Sequence, residues 1–371
     1  MADQEGRGIR CTPTRWRLIA SGVLLAACPL LVLLFERFGE ALSGGYRPFS
    51  KGLLSLQATV ASVAPFALWD FLVVGFALAA LFTLVRRVVR RRPLLPWLSV
   101  VLLVSSATLF LFVSGWALNH YAPSLANEIG LEVGAYTDDE LTAATRHYLE
   151  RAAALAPSVP RGEDGELLRQ DFYELACIAG GSYRELSESY GIFEGSQAPV
   201  KALLLLGEPL LLSGHVGIFF SPTGESSVPV NCAVADLPFT MCHEAAHRLA
   251  IAREQEANFA AFLACTTSDD VRFSYSGYYS AFSFCYGALR RSDPDRAARL
   301  LDEVRTSGLD AGVGLVLADL VATGRHYDAY EGWFGRIGSA VNDGYLRSFG
   351  EREGVKSYGL VVDYLIAWDR R

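Results

Sequence analysis

Three long apolar runs before residue 119 constrain the fold of this chain more than any other feature. They cover about residues 16–35, 65–85 and 94–118, and each is long enough to cross a hydrocarbon core about 30 Å thick. Only 20% of the 371 residues are charged, against about 25% in an ordinary soluble domain, and 51% are hydrophobic. Because the apolar excess is confined to these runs, the sequence predicts a membrane anchor at residues 1–118 and a separate domain at residues 119–371. The same composition excludes a disordered chain and a small disulfide scaffold.

Arginines predict how the anchor is oriented. Five of them lie within Arg86–Arg92, between the second and third apolar runs. Four more precede or begin the first run, at Arg7, Arg10, Arg15 and Arg17. Since such clusters resist translocation, we expect both segments on the cytoplasmic side. Three spans then place residues 119–371 on the extracytoplasmic face of a multi-pass protein, with the lipid bilayer as a partner.

The first two runs each leave an alternative open. Leu25–Cys28 resembles a lipoprotein cleavage box, so the first run can also be read as a signal peptide. Because Pro29–Phe35 continues the apolar run beyond the cysteine, we expect it to stay uncleaved. Asp70 is the only charge in the second run, and intramembrane carboxylates are often functional. We favour an interfacial position beside Trp69, within reach of water.

The remaining residues predict a mainly α domain with a small sheet of few strands. We expect helices over residues 136–156, 166–179 and 238–304, the last with breaks near 248–253 and 266–270. Short apolar runs at 203–206 and 215–220 are typical of strands, and Pro222–Gly224 reads as a turn, followed by a loop to Asp236. The domain carries a formal charge of −14 against +7 for the anchor, so we expect no nucleic-acid partner.

Five cysteines fall in the predicted domain, and the sequence leaves their state open. They are Cys177, Cys232, Cys242, Cys265 and Cys285. An extracytoplasmic location permits disulfides, but their odd number and irregular spacing match no disulfide framework, and buried thiols are an equal reading. No pair has the C-x-x-C spacing of a cysteine zinc site.

The stretch His243-Glu244-Ala245-Ala246-His247 carries the chemistry. Residues four apart share one helix face, so His243 and His247 can hold one metal ion, and Glu244 between them can take a proton from a water molecule. Glu254, seven residues later on the next helix, is expected as the third ligand, which leaves a fourth position open. Asn258 lies one turn further and can hold a ligand imidazole, while Glu256 is a weaker supporting residue. The sequence thus predicts a Zn²⁺ site.

These segments carry a resemblance to two groups of proteins. Arg253–Phe259 after H-E-x-x-H is similar to the second signature of gluzincin metallopeptidases, which implies a zincin-like fold. More closely, the chain resembles a bacterial family of three-span membrane proteins, domain of unknown function 3810. The matching pieces are Pro222–Glu225, Leu237–Thr240, Cys242–Glu244, Ala257–Phe259, Asn342–Leu346 and Gly354–Gly359. That likeness implies a bacterial cell-membrane location. Ala250 departs from it, because relatives often have glycine there, and alanine tolerates a positive φ poorly.

Two further roles follow from the gluzincin resemblance. The strand beginning Gly217, Ile218 and Phe219 resembles the edge strand along which such peptidases align a peptide, although an ordinary core strand fits equally. A donor is also needed for the negative charge that develops on the carbonyl oxygen. Tyr358 is the first candidate, followed by Tyr345 and His326.

The sequence therefore favours a membrane-anchored, zinc-dependent metallopeptidase that hydrolyses a peptide or protein substrate. The main alternative is a catalytically inactive metal-binding module that binds or senses envelope peptides. A structural membrane protein without metal is a third reading. Since the motif lies far beyond the last apolar run, a site outside the bilayer is preferred to intramembrane proteolysis.

Overall fold

Long apolar helices form the first third of the chain. The computed structural model describes residues 13–349 and 360–371. Its first helices are α1 (Pro13–Ala61), α2 (Leu68–Val89) and α3 (Leu95–Gly115), which contain the three predicted apolar runs. Each is long and apolar enough to cross a membrane, as is a fourth stretch, Pro294–Asp328. The chain is thus consistent with membrane association.

Helix α1 extends far beyond the run from which it was predicted. Residues eleven positions apart on a straight helix are separated by about 16 Å along its axis. The rings of Phe35 and Tyr46 nevertheless lie 4.9 Å apart, so α1 bends sharply between them. Beyond the bend, Leu54 and Ala58 are buried, while Phe49 and other apolar residues remain exposed. The charges that end the apolar run at residue 35 therefore do not end the helix.

The fourth apolar stretch belongs to the core of the domain. It consists of α12 (Pro294–Val304) and α13 (Asp310–Asp328), joined by a turn in which Gly308 has a φ of 94°. Leu300 and Val316 are fully buried in the main hydrophobic cluster. A helix that buries one apolar stripe against a core has the pattern of a globular-protein helix rather than of a membrane span.

Mainly helical structure with one small sheet follows α3, which confirms the predicted composition of elements. The further helices are α4 (Leu125–Ile129), α5 (Asp138–Leu155), α6 (Phe172–Gly181), α7 (Arg184–Ser189), α8 (Gly207–Leu212), α9 (Leu237–Arg248), α10 (Glu254–Thr266), α11 (Val271–Ser292), α14 (Trp333–Ser348) and α15 (Val361–Asp369). The strands are β1 (Lys201–Leu203), β2 (Ile218–Phe220) and β3 (Glu225–Pro229).

The sheet has the order β1-β3-β2, with β1 parallel and β2 antiparallel to β3. The predicted loop from the turn to Asp236 is wrong, because its first part is the central strand. Polar side chains concealed this strand, although all five of its residues are buried. The backbone N–H groups of Leu68 and Trp69 donate to the Glu225 carboxylate, and the Ser226 hydroxyl donates to the carbonyl of Glu244.

Other predicted boundaries have mixed outcomes. Helix α5 begins with the capping box of Thr137 and Glu140, as expected from that sequence. Both breaks in the later helical region are confirmed, between α9 and α10 and between α10 and α11. Helix α6 begins at Phe172 rather than at 166, because the segment before it runs extended and Leu167 bridges to Arg161.

The first turn of α2 is fastened to the sheet region. Asp70 is fully buried, so its expected access to water is wrong. Its carboxylate instead accepts the backbone N–H groups of Leu204, Leu205 and Leu206 at 2.8–3.0 Å. The Trp69 ring stacks on Phe220 with centroids 4.8 Å apart. These contacts and the Glu225 carboxylate join the end of α2 to the domain.

The described cysteines are free thiols, and all but one of them are buried, as the second reading expected. Cys28, Cys232, Cys242, Cys265 and Cys285 are buried, and Cys177 is exposed.

Candidate metal centre

Helix α9 positions the two histidines of the motif on one face. Pro238 occupies its first turn, where a missing N–H costs nothing, and the apolar residues around it are buried in the core. His243 and His247 are one turn apart and both buried. Their Nε2 atoms lie 3.1 Å apart, with the rings nearly perpendicular. The i, i+4 spacing thus brings the two imidazoles together, as the sequence predicts.

A left-handed residue ends α9 and turns the chain towards α10. Ala250 has a φ of 63°, the strained conformation expected from its comparison with glycine. Its N–H donates to the His247 carbonyl, and the Ile251 N–H donates to Ala246, which closes the helix end. This turn places the Ile251 carbonyl oxygen 2.8 Å from His247 Nδ1. Helix α10 then begins with Glu254 as its first residue.

Glu254 completes a three-residue cluster with the histidines. Its Oε2 atom lies 3.2 Å from His243 Nε2 and 3.7 Å from His247 Nε2. One ligand atom from each residue lies within 4.8 Å of the others, and all three residues are buried. The three predicted metal ligands therefore converge.

Hydrogen bonds on the other side of each ring show what this cluster can hold. His243 Nδ1 lies 2.9 Å from Asn258 Oδ1, and His247 Nδ1 faces the Ile251 carbonyl. Both oxygens are acceptors, so both Nδ1 atoms donate, and each neutral ring is left with an unprotonated Nε2. Among the residues that the structure describes, the buried Glu254 Oε2 has no hydrogen-bond partner. Three unprotonated acceptors facing one point fit a cation such as Zn²⁺, with a fourth position open.

The pKa values of the cluster show the same demand for positive charge. Burial alone would lower the pKa of His247, but the adjacent Glu254 carboxylate outweighs it and raises that pKa to about 9. Burial would likewise raise the pKa of Glu254, but the two histidines hold it well below its ordinary value. A proton on the imidazole thus occupies the place that a metal ion would take.

Glu244 lies beside the cluster at a cavity of about 440 Å³. His243, Glu244 and Asn258 line this cavity together with Gly217. Burial raises the pKa of Glu244 to about 7, although the histidines counteract part of the rise. Gly217 packs directly on Glu244, since a methyl group there would collide with the carboxylate. This glycine therefore makes room for a carboxyl group whose pKa is close to 7.

The two residues predicted to support the ligands have different outcomes. Asn258 holds the His243 ring, as expected. Glu256 points elsewhere: it accepts from Arg253 at 2.8 Å and from Tyr364 at 3.3 Å, so it does not contact the ligands.

The predicted substrate strand and the three donor candidates also lie at different places in the structure. Strand β2 is an edge of the sheet, but Ile218 and Phe219 pack into hydrophobic clusters, which leaves Gly217 at the cavity. Tyr358 lies outside the described residues. Tyr345 on α14 lies 3.2 Å from His120 Nε2. His326 lines a different cavity of about 620 Å³.

Two cavity residues were missed by the sequence analysis. His215 and Asp236 line the cavity, the first just before β2 and the second just before α9. His215 Nδ1 lies 2.9 Å from Ser213 Oγ, whose hydroxyl donates to Leu210, so Nδ1 donates and Nε2 is an acceptor. Burial lowers the pKa of His215, which favours this neutral form. The one available signal was a histidine at the head of a strand that precedes the motif.

The cluster is joined to the end of α3. The indole N–H of Trp116 donates to the carbonyl of His247 at 2.8 Å. Arg253 donates to the carbonyl oxygens of His120 and Ala122, at 2.9 and 2.8 Å. Each ligand helix thus has its own hydrogen bond to the residues that follow the third apolar helix.

Comparison with known proteins gives a family. The family model described as protein of unknown function (DUF3810) matches residues 46–366, which is most of the chain. The chain belongs to this family. The match includes α2, α3 and the cluster of histidines and glutamate. It begins at residue 46, after the first apolar run. No curated protein and no solved structure matches the chain.

Proposed function

We propose that this member of the DUF3810 family is a membrane-anchored zinc metallopeptidase with a zincin-like, gluzincin-type centre. The observation that carries the proposal is the convergence of His243 Nε2, His247 Nε2 and Glu254 Oε2 in a buried site, with both Nδ1 atoms bound to acceptors so that both Nε2 atoms face the cluster. Asn258 and Ile251 fix the two rings, as supporting residues of metal ligands commonly do.

The chain's own residues supply the proton transfers. Zn²⁺, when bound, acidifies a water molecule and polarises the peptide carbonyl. Glu244 accepts the proton of the attacking water and passes it to the leaving amine, a task suited to a pKa of about 7. Gly217 leaves the space that this carboxylate occupies, because any side chain there would displace it.

The cavity supports access for an extended substrate. It is lined by polar and apolar groups, among them Phe239 and Ser280, and by residues 214–217, which lead into the edge strand β2. The His215 Nε2 acceptor suits a substrate N–H group. Tyr345 and Tyr358 stay proposals for the donor to the developing negative charge.

The proposed topology places this centre outside the bacterial cytoplasm. Helices α1, α2 and α3 are the spans, with the arginine-rich segment Arg86–Arg92 and the N-terminus inside. Residues 119–371 then form an extracytoplasmic domain that rests on the outer ends of α2 and α3.

The alternative is a metal-binding module without catalysis. Such a module would be expected to close the fourth metal position to any extended chain. A cavity that reaches His243 and Glu244 favours catalysis instead. A structural protein without metal would leave the three converging acceptors unexplained.

Metal content is the first test. Elemental mass spectrometry on the purified full-length protein is expected to give about one zinc per chain. His247→Ala should lose it, because one ligand is removed, whereas His326→Ala should keep it, because that histidine lines another cavity. A carefully prepared wild-type protein without metal would overturn the proposal.

Glu244→Gln tests the catalytic role. The variant is expected to retain zinc while cleavage of a peptide library falls at least about 1,000-fold, since the amide cannot accept the proton. Cleavage at the wild-type rate would exclude Glu244 as the base. Zinc binding by a wild-type protein that cleaves no peptide would favour the binding module.

A further inference from the structure

One face of α14 is apolar and has no protein partner in the contacts described for it. Trp333, Ile337 and Val341 are 66%, 50% and 68% exposed, and Phe334 is also exposed beside them. At 100° per residue these side chains occupy one continuous arc of the helix. Ser339 and Asn342, on the opposite side, line the cavity of the metal centre. Helix α14 therefore forms a wall of the cavity and turns an apolar surface outwards.

The first half of α14 is held against α8. A methyl group on Gly338 would collide with the Ser213 carbonyl oxygen, so the two backbones are in close contact. The segment before α8 is in turn fixed to the first turn of α2, where Asp70 accepts the N–H groups of Leu204–Leu206. Hence this half of α14 lies near the end of α2 that is proposed to face outwards.

The second half of α14 reaches α3. The ring of Tyr345 lies 5.9 Å from Phe112, and the ring of Phe349, just past the helix, lies 6.2 Å from it. Phe112 is in the last turn of α3, at its proposed outer end. A 16-residue helix is about 24 Å long. Because its second half contacts the proposed outer end of α3, and its first half contacts the end of α8, which follows the segment held at the first turn of α2, we place α14 along the membrane surface.

The residues beside the apolar arc match an interfacial helix. Arg336 lies along one border of the arc, where its charge can reach lipid phosphates while the apolar side chains enter the acyl region. Arg347 lies on the same border and is paired with Asp343 at 2.7 Å. Leu204, Leu205 and Leu212 extend the exposed apolar surface towards α2. Asp70 holds Leu204 and Leu205 at the first turn of α2, and Leu212 ends α8 beside Gly335 of α14.

We propose that α14 lies in the outer leaflet of the bilayer, with Trp333, Ile337 and Val341 among the acyl chains and the cavity wall on its other side. This inference rests on the proposed membrane topology, but it does not depend on metal or catalysis. The occupant is the lipid itself, since the apolar arc has Arg336 at its border, and α14 contacts the end of α3 and the end of α8, whose preceding segment is held by α2. A second copy of the chain is the competing occupant.

Site-specific photocrosslinking in the full-length protein tests this placement. A benzophenone amino acid replaces Ile337 in protein reconstituted in phosphatidylethanolamine–phosphatidylglycerol nanodiscs, with Leu168, on the loop between α5 and α6, as the control. The two residues are matched in exposure, at 50% and 49%. Intact-protein mass spectrometry is expected to show phospholipid adducts at least about fivefold more abundant at position 337. Equal labelling, or a crosslinked dimer at 337, would overturn the proposal.

A third position separates failure of this inference from failure of the topology. Leu78 is exposed in the middle of α2 and should give lipid adducts if α2 spans the bilayer. Adducts at 78 without adducts at 337 would remove α14 from the membrane and leave the anchor intact. No adducts at either position would overturn both the anchor and the placement of α14.

Discussion

Glu244 is a carboxyl group that the fold keeps from water. Its neighbours are the two histidines, Gly217 and the cavity, and its Oε2 atom has no hydrogen-bond partner within the described residues. An ionised carboxylate in such a place costs free energy, and this cost raises its pKa to about 7. The same group that suits proton transfer is therefore a source of instability.

This cost predicts a pH dependence. The pKa of Glu244 is about 7 in the folded protein against an ordinary 4.5, so its contribution to stability is fully present below pH 4.5 and lost as pH rises through 7. In metal-free protein at pH 8, Glu244→Gln should raise the free energy of unfolding by about 3 kcal/mol, because each pKa unit is worth about 1.4 kcal/mol. Thermal unfolding with chelator from pH 5 to 8.5 measures it.

A matched glutamate provides the control. Glu256→Gln removes the ion pair with Arg253 and should lower the unfolding temperature without removing the pH dependence. If Glu244→Gln behaves in the same way, the carboxyl group is not held in the unfavourable environment described.

At the level of single residues, local spacing was sufficient for the ligands and insufficient for the cavity. His243, His247 and Glu254 follow from a helical repeat and a short turn, both of which are written in consecutive residues. His215 and Asp236 reach the cavity only because β2 and the start of α9 pack together, and that contact is not encoded locally. Glu256 is two residues beyond Glu254 and therefore faces another side of α10, where Arg253 and Tyr364 donate to it.

Two carboxylates accept hydrogen bonds across the junction between α2 and the domain. Glu225 on β3 accepts the N–H groups at the start of α2, and Asp70 on α2 accepts those that lead into α8. Both carboxylates are buried. The contact therefore joins two elements by bonds to otherwise unpaired backbone groups at a helix start, where negative charge is favoured.

Asp70→Asn is expected to weaken this junction. The amide loses the charge and half of the acceptors, so buried N–H groups at Leu204–Leu206 remain unsatisfied, at a cost of about 2 kcal/mol. Thermal unfolding of the full-length protein in detergent measures the loss. Glu36→Gln, at an exposed position on α1, is the control and should change little. Equal unfolding temperatures for the two variants would contradict a clamp at Asp70.

Elements whose residues are apolar in a regular pattern were predictable, and those defined by contacts were not. The capping box and the apolar periodicity of its sequence predict helix α5. Strand β3 reads as a loop because its serines and glutamate are satisfied by α2 and α9 rather than by water. The bend in α1 brings the rings of Phe35 and Tyr46 together, and a helical sequence pattern does not predict such a contact.

The arrangement of the whole molecule depends on which face of the membrane the domain occupies. Cys177 is the exposed thiol among the described cysteines, and the others are buried. In right-side-out spheroplasts, a membrane-impermeant maleimide is therefore expected to label the protein, and Cys177→Ser should abolish the labelling.

The cytoplasmic side is tested in the same assay. Arg91→Cys, combined with Cys11→Ser and Cys177→Ser, should be labelled only after permeabilisation, because position 91 lies in the arginine-rich segment between α2 and α3. The reverse pattern, with position 91 labelled in intact spheroplasts and Cys177 protected, would place the domain in the cytoplasm.

In the proposed topology, the hydrogen bonds from Trp116 to His247 and from Arg253 to His120 fix the height of the candidate metal centre above the membrane. If the proposed peptidase is correct, that height acts as a ruler. A substrate anchored in the same bilayer would be cut at a bond set by its distance from the lipid surface, whatever residues flank that bond. Lengthening the segment between a substrate's anchor and its cleavage site would then move the cut along the chain and keep its distance from the membrane constant.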